Sequence, residues 1–490
     1  MIRYFMANEN EARTAREEWG TRFGFLMAML GGMVGSGNIW RMPYTTGQNG
    51  GGAFLLAYII LLFVIAIPGL MAETALGSYT KQGVIGAFKK TYGRGWSEGF
   101  GLVVVVVTMA LTSYYLPVVG QVTYYVAHSF LLTFSQPGFE SVAFWNEFTA
   151  SPLLTIGTHT IATVLVGGVL LFGIKRGIER VVKWMIPLLV VTLIVVAVRG
   201  LTLPGATAGL AFVLTPDWNY LVRGQTWIAA LGQALFSTGL GWGIALTFGS
   251  YLRQNDDIPL GAGIFTAIGN TSIGLLSIFA VFPVVFAFGL EPTAGAELTF
   301  VSLVSVFPQM AGGPIWAIVF FVGFFFAALS TGIVITEIGV STIIEETRLD
   351  RTQTVLVVCT IVWLLGIPSA YSSAFLGTMD FMFGNWGLPL ATLLIIGTVG
   401  WKIGPERLRV IELNRNADVY IGSWWNPVIK YVIPLVMVFI MAYYLLTNIA
   451  GSTLQTVGGV VLMTVLLTGA VLVMRVVRQR ESTNVASGGD

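Results

Sequence analysis

The chain has 490 residues, 55% of them hydrophobic and only 10% charged, where soluble domains carry roughly 25% charged residues. With a mean hydropathy of +0.80 it is expected to be a polytopic membrane protein, and its net charge of +2 argues against nucleic acid as a partner. One cysteine, Cys359, excludes an internal disulfide framework and a multi-cysteine metal site, and two histidines, His128 and His159, give little basis for histidine-based metal chemistry.

Apolar runs of about 20 residues or more, the length of a span, fall near 22–47, 52–79, 98–130, 157–173, 179–200, 226–252, 258–290, 313–345, 352–370, 374–401, 427–447 and 453–476. The expected fold is all-α and polytopic, with 12 transmembrane helices. The first run follows a polar stretch with acids among the bases and no small-residue cleavage site, so it is read as a retained helix, not a signal peptide. Of 26 basic residues, all but Arg41, Arg199 and Arg223 fall on one side of this arrangement. That side is then cytoplasmic, and an even number of spans puts both termini there. Residues 1–20 form a cytoplasmic segment, 402–480 a polar linker with the last two helices, and 481–490 a polar, Gly/Ser-rich tail expected to be disordered.

The first run contains "GGMVGSGNIWRMPY" (31–44), with four glycines among residues 31–37 and then Asn38, Arg41 and Pro43. Close helix packing is one explanation, since Gly31 and Gly35 form a GxxxG pair. It leaves Asn38 and Arg41 unexplained, because polar and charged groups cost energy in hydrocarbon unless they face a cavity or a partner. The sixth run carries a second cluster, "GQALFSTGLGWG" (232–243). First and sixth are corresponding positions in two successive five-helix halves, residues 21–200 and 201–401. Glycine-interrupted segments so placed point to a secondary transporter built from inverted repeats, in which unwound backbone offers carbonyls to a cation and N–H groups to an anion.

Further segments join these two: "REEWGTR" (16–22), "NGGGAFLLAY" (49–58), "WIAALGQALFSTGLGWG" (227–243), "AALST" (327–331) and "MDF" (379–381). Together they resemble the neurotransmitter:sodium symporter family in its bacterial, leucine-transporter-like form, over nearly the whole chain. The resemblance implies a Na⁺-coupled symporter of a neutral amino acid in the cell membrane, working by alternating access, and no enzyme. One Na⁺ would take oxygens of Met33, Asn38, Ser237 and Asn270 together with the substrate carboxylate. A second would take carbonyls of Gly31, Val34 and Ala327 and hydroxyls of Ser330 and Thr331. Oxygen-only shells suit a hard cation, although hydroxyls in membrane helices often bond back to their own helix instead.

The substrate would be held by Met33, Gly35, Ser36, Gly37, Tyr115, Ser237 and Thr331, with its side chain among Leu111, Phe236, Gly239, Trp242 and Ile335. Gly35 stands where monoamine carriers hold an aspartate, which favours amino acids. The bulk of Trp242 leans towards glycine, alanine or another small substrate, while Gly239 returns volume; larger hydrophobic or aromatic amino acids are the alternative. Tyr58, Gln233, Ser237 and Asn270 match a chloride site. The position that decides chloride dependence in the family is here Gly274, neither the acid nor the serine; a missing acid favours a mobile anion, and a missing hydroxyl counts against it. Arg41 and Asp380 resemble the outer gate, and Arg16, Trp19, Tyr251 and Glu345 the inner one. Glu73 and Glu337, also at membrane depth, are expected to bond to helix breaks. A channel, a solute sensor without transport and a membrane-embedded enzyme are the other classes. No filter sequence, ring of like charge, signalling domain or nucleophile constellation speaks for them.

Overall fold

The computed structural model describes residues 19–93, 96–253, 256–291, 298–415 and 417–449. Among them, nine helices are long and apolar enough to cross a membrane, or ten if Arg22–Met33 and Gly37–Gln48, bent by 51° at their junction, count as one span. The sixth expected run is two helices, Gly224–Thr238 and Ile244–Ser250, each too short to span alone. The twelfth expected run (453–476), the 481–490 tail and Arg16 lie outside the described residues. No strand occurs among the described residues beyond one isolated bridge, Gly51 to Pro216.

Local chemistry sets several boundaries. The fourth helix begins at Pro152, not near 157, because the Ser151 hydroxyl accepts from Leu154 N and proline suits the first helical position. Widened π-type turns at Gly37–Arg41, Leu62–Ala66, Asp380–Gly387, Thr398–Ile403 and Val428–Val432 each stand just before a proline. A proline ring clashes with the carbonyl four residues back and offers it no N–H; a wider turn relieves the clash. Short helices the hydropathy runs did not foresee, Val84–Tyr92, Ser141–Ala150 and Ala206–Leu214, fill connections between spans.

Burial divides the helices into two groups. In Glu98–Phe130, 83% of the apolar window is buried, and in Gly313–Glu346, 72%. In Ile174–Leu201 and Arg351–Tyr371 the shares are 33% and 39%. The second group turns large apolar side chains outward, including Trp184, Val191, Leu356 and Leu364. A soluble protein rarely exposes a continuous apolar surface of this kind, whereas lipid solvates it. The inner helices therefore surround the two interrupted segments, which are the only places in the interior where main-chain groups are released from helical bonding by a multi-residue break among the described spans.

Candidate functional site

The first interruption lies between Met33 and Gly37. Its free backbone groups find partners on two inner helices. Thr331 Oγ1 donates to Gly31 O at 2.9 Å, and Ser36 N donates to the Tyr115 hydroxyl at 3.1 Å. A Cβ at residue 35 would lie 2.5 Å from Thr331 Oγ1 and 2.6 Å from the Tyr115 hydroxyl. Two hydroxyls thus fill the space an aspartate would need there. Ser330 behaves differently from its neighbour: its hydroxyl donates to Ala327 O in its own helix at 3.0 Å.

The second interruption runs from Gly239 to Gly243. Gly239, Gly241 and Gly243 have φ of 65°, 85° and 75°, a region glycine enters without the steric cost of a side chain. Glu73, fully buried on the second span, accepts from Gly241 N at 3.0 Å and Leu246 N at 3.4 Å. It thereby satisfies N–H groups that open the helix Ile244–Ser250. The Trp242 and Leu240 carbonyls accept from Thr108 at 2.7 Å and Thr392 at 3.3 Å.

Polar side chains join the two interruptions. Asn38 Nδ2 donates to Asn270 O and Oδ1, both at 2.9 Å; Asn270 Nδ2 donates to Ser237 Oγ at 2.8 Å; and Ser237 Oγ lies 3.4 Å from Asn38 Oδ1. All three residues are completely buried. The inner end of the Asn270 amide is 3.2 Å from Met33 O and 3.3 Å from both Ser237 O and Asn38 Oδ1. With nitrogen inward, the amide donates to those acceptors and its oxygen accepts from the Ser237 hydroxyl at 2.8 Å. With oxygen inward, it accepts from Asn38 Nδ2 at 2.9 Å but stands among three further oxygens, a crowding that a cation would relieve. Neutral oxygens in such number are the ligand class of a hard cation. Among the described residues, no three His, Cys, Asp or Glu side chains converge as a metal site.

Around this cluster, Phe236 and Trp242 meet edge-to-face at 5.2 Å, and Leu111 and Ile335 are buried on adjoining helices. A Cβ at Gly239 would reach Ile244 at 3.1 Å and Met33 at 3.8 Å. Of the four residues matched to chloride, the Tyr58 hydroxyl pairs with Thr271 at 3.2 Å and also interacts with Ser237, which is bonded to Asn270 at 2.8 Å. Gln233 donates to Gly37 O at 3.1 Å while its carbonyl faces Arg41 at 3.3 Å. A side chain at Gly274 would run into Met42 Sδ at 2.4 Å.

Arg41 donates to Gly232 O at 3.3 Å and lies 4.7 Å over the Phe236 ring, while Asp380 accepts from Tyr114 at 3.0 Å. Trp19 donates to Phe248 O at 3.2 Å and meets Tyr251 edge-on at 6.1 Å. Arg253 holds the Trp19 carbonyl at 2.8 Å. Glu345 accepts from Gly83 N at 2.8 Å, at the start of the helix Val84–Tyr92. Glu337 departs from expectation. It forms a two-pronged ion pair with Arg351, at 2.8 and 3.2 Å, instead of capping a break. Sequence reasoning missed this pair, whose signal was an acid at the end of one apolar run and an arginine opening the next. It also missed Glu179, which accepts from Gly20 N at 2.9 Å and the Thr21 hydroxyl at 2.7 Å and ties the start of the first span to the fifth. His159, fully buried, bonds to Trp363 O at 3.1 Å; His128 pairs with Thr133 at 2.9 Å.

A family model described as the sodium:neurotransmitter symporter family matches residues 16–150 and 154–478. A sodium-dependent transporter of Haemophilus influenzae is 32% identical over 448 residues, 87% of this chain and 97% of the relative. Another, of Methanocaldococcus jannaschii, is 31% identical over 460 residues, 88% and 92% of the two chains. The crystal structure of MhsT in complex with L-phenylalanine aligns with a TM-score of 0.81 and 32% identity, covering 87% of this chain and 99% of that one.

Proposed function

The chain belongs to the sodium:neurotransmitter symporter family, multi-pass membrane transporters and not enzymes, and from that premise we propose that it carries a small neutral amino acid together with Na⁺ by alternating access. The observation that carries this reading is the buried oxygen cluster of Met33, Asn38, Ser237 and Asn270, built between two helix interruptions. The substrate carboxylate would complete that shell, so ion and substrate favour the same state; such differential affinity is what lets one ligand shift the population for the other. Ser36 N and the Tyr115 hydroxyl, now bonded to each other, would turn to that carboxylate. A second Na⁺ would bind between the carbonyls of Gly31, Val34 and Ala327 and the hydroxyls of Ser330 and Thr331.

The proposed architecture has 12 spans, with inverted repeats over 21–200 and 201–401, a linker and two helices over 402–480, and cytoplasmic termini. Trp242 packed against Phe236 supports a small substrate. Larger aromatic substrates are the second reading, favoured by the phenylalanine complex of the similar MhsT. Chloride stays in the proposal as a mobile counter-charge, because Met42 occupies the space an acid at residue 274 would need.

Uptake into proteoliposomes tests these points, with the common amino acids screened in external Na⁺ or K⁺ and with chloride or gluconate. Uptake of small neutral amino acids in Na⁺ alone is expected. Asn38→Ala should weaken the Na⁺ dependence and Arg199→Ala should leave it intact; unaltered Na⁺ dependence in Asn38→Ala rejects the ion site. Trp242→Phe should admit larger side chains, and an unchanged substrate range rejects the small pocket.

A further inference from the structure

The half-helix Arg22–Met33 carries Gly31 and Met33 and joins Gly37–Gln48 through a bend of 51°, about which it can turn as a unit. Among the described residues, hydrogen bonds fasten its far end to two neighbours. On one side Trp19 donates to Phe248 O and Arg253 donates to Trp19 O, which ties it to the other interrupted span. On the other side stands Glu179, the first residue of Glu179–Leu201 in the fifth span. Arg22 and Asp418, exposed and 4.0 Å apart, add an ion pair that water screens.

Glu179 is set into the half-helix, not merely beside it. Its carboxylate accepts from Gly20 N at 2.9 Å and from the Thr21 hydroxyl at 2.7 Å, and the same hydroxyl caps the helix by accepting from Gly24 N at 2.9 Å. A Cβ at Gly24 would overlap the Glu179 carboxyl group, and one at Gly20 would lie 3.0 Å from its Oε2. Two glycines one turn apart thus make a slot for the acid, whose charge suits the positive end of the helix. One turn further along the fifth span, Val182 fills the place that a Cβ at Gly31 would need. Glu179 is only 8% exposed, although its span turns Trp184 and Val191 outward.

We infer that Glu179 is a positioning residue that keeps this half-helix seated against the oxygen cluster, and that its carboxylate must leave the glycine slot before an ion passes to the side on which Glu179 lies. The inference rests on the alternating access proposed above. The Trp19 fastening joins the two interrupted spans to each other, so they can move together without breaking it. The Glu179 fastening joins them to the fifth span, only 33% of whose apolar window is buried, and a joint movement has to break it.

Ile244 is fully buried, and a Cβ at Gly32 would lie 3.3 Å from its Cγ2, so the seated half-helix covers it. The full chain carrying Ile244→Cys and Cys359→Ser is labelled with a membrane-impermeant maleimide in vesicles that present one face or the other. Adding Glu179→Ala should speed labelling from the side of Glu179 by on the order of tenfold, the worth of one hydrogen bond to a charged group, and leave labelling from the opposite side unchanged. Glu179→Gln, which can accept from Gly20 N and donate to the Thr21 oxygen, should label at close to the wild-type rate. Thr21→Val should speed labelling less than Glu179→Ala and add nothing to it. Unchanged labelling in Glu179→Ala overturns the inference; so does a rise from both sides, the mark of a loosened fold, or a Glu179→Gln variant as open as Glu179→Ala. Na⁺-driven uptake by the wild type reports on transport separately, so an overturned fastening with intact uptake rejects this inference and not the function.

Discussion

The two interrupted helices are glycine-rich in nearly the same way, yet the chain breaks them by different means. At the sixth span, Gly239, Gly241 and Gly243 all have positive φ. At the first, no residue from Gly31 to Gly37 does; Val34, at φ −83° and ψ 89°, simply leaves the helix, and Thr331 and Tyr115 hold what it releases. Side chains of other helices hold both, Glu73, Thr108 and Thr392 serving the second, but the second is fixed by its own backbone as well. An interruption held only from outside can be handed to a ligand by exchanging hydrogen bonds, because a bound ion or carboxylate takes the place of a hydroxyl. Left-handed glycines keep more of their shape when such bonds are exchanged.

Alanine substitutions break this comparison most sharply. Gly241→Ala puts a side chain in a left-handed conformation, costing roughly 1–2 kcal/mol. Its Cβ would also lie 2.9 Å from Leu388 O and 3.0 Å from Thr392 N, backbone atoms that cannot turn aside. A loss of about 2–4 kcal/mol is expected, seen as a large fall in denaturation temperature. Gly35→Ala meets side-chain atoms, Thr331 Oγ1, the Tyr115 hydroxyl and, at 3.0 Å, Thr331 Cβ, and no backbone atom is among its nearest contacts. It should stay folded near the native denaturation temperature and lose Na⁺-driven uptake. If Gly35→Ala unfolds as readily as Gly241→Ala, the distinction between the two interruptions fails.

Thr331 and Ser330 sharpen the same contrast on a smaller scale. Thr331→Val keeps the shape but removes the donor to Gly31 O, leaving a buried carbonyl unsatisfied at a cost of about 1–3 kcal/mol. Half-saturation by Na⁺ in uptake should rise by on the order of tenfold, since about 1.4 kcal/mol is a factor of ten. Ser330→Ala should do less, because that hydroxyl is already spent on Ala327 O. The reverse order would mean that the Thr331 bond across the two helices is not what holds the first interruption.

What the sequence made legible follows from the range of the interactions. Helix-length apolar runs and glycine clusters are local patterns, and they located the nine or ten spans seen among the described residues and both interruptions. Composition could not say which cluster would use left-handed backbone, because that depends on packing against Thr392 and Leu388. Glu73 was expected to cap a break, and it does; Glu337, equally buried, pairs with Arg351 because the turn after Glu346 returns the chain to it. Glu345, matched to a gate, accepts from Gly83 N, where a connecting helix invisible to hydropathy begins. The polar contacts of Asn38 with Ser237 and Asn270 span more than 190 residues, by the separations 199 and 232; only the family resemblance, not periodicity, put those residues in one expected set.

Far from both interruptions, the ion pair of Glu406 and Arg409, 2.6 Å long, gives the smallest expected effect. It lies after the tenth span ends at Ile403, in the linker. The hydrogen bond from Arg409, with one from Asn426, holds the Glu406 carboxyl below its ordinary range. A carboxylate so lowered contributes stability that is complete above its unfolded-state value of about 4.3 and is lost as pH falls through the folded-state value. The Glu406 side chain is 60% exposed, so water and salt screen the pair. Glu406→Gln should lower the denaturation temperature slightly near neutral pH, less in high salt, and the two proteins should converge in acid. A difference that persists below the folded-state value would show that the linker is held by the geometry of its Arg409 and Asn426 contacts and not by charge, as the hydroxyl bonds hold the interruptions inside the membrane.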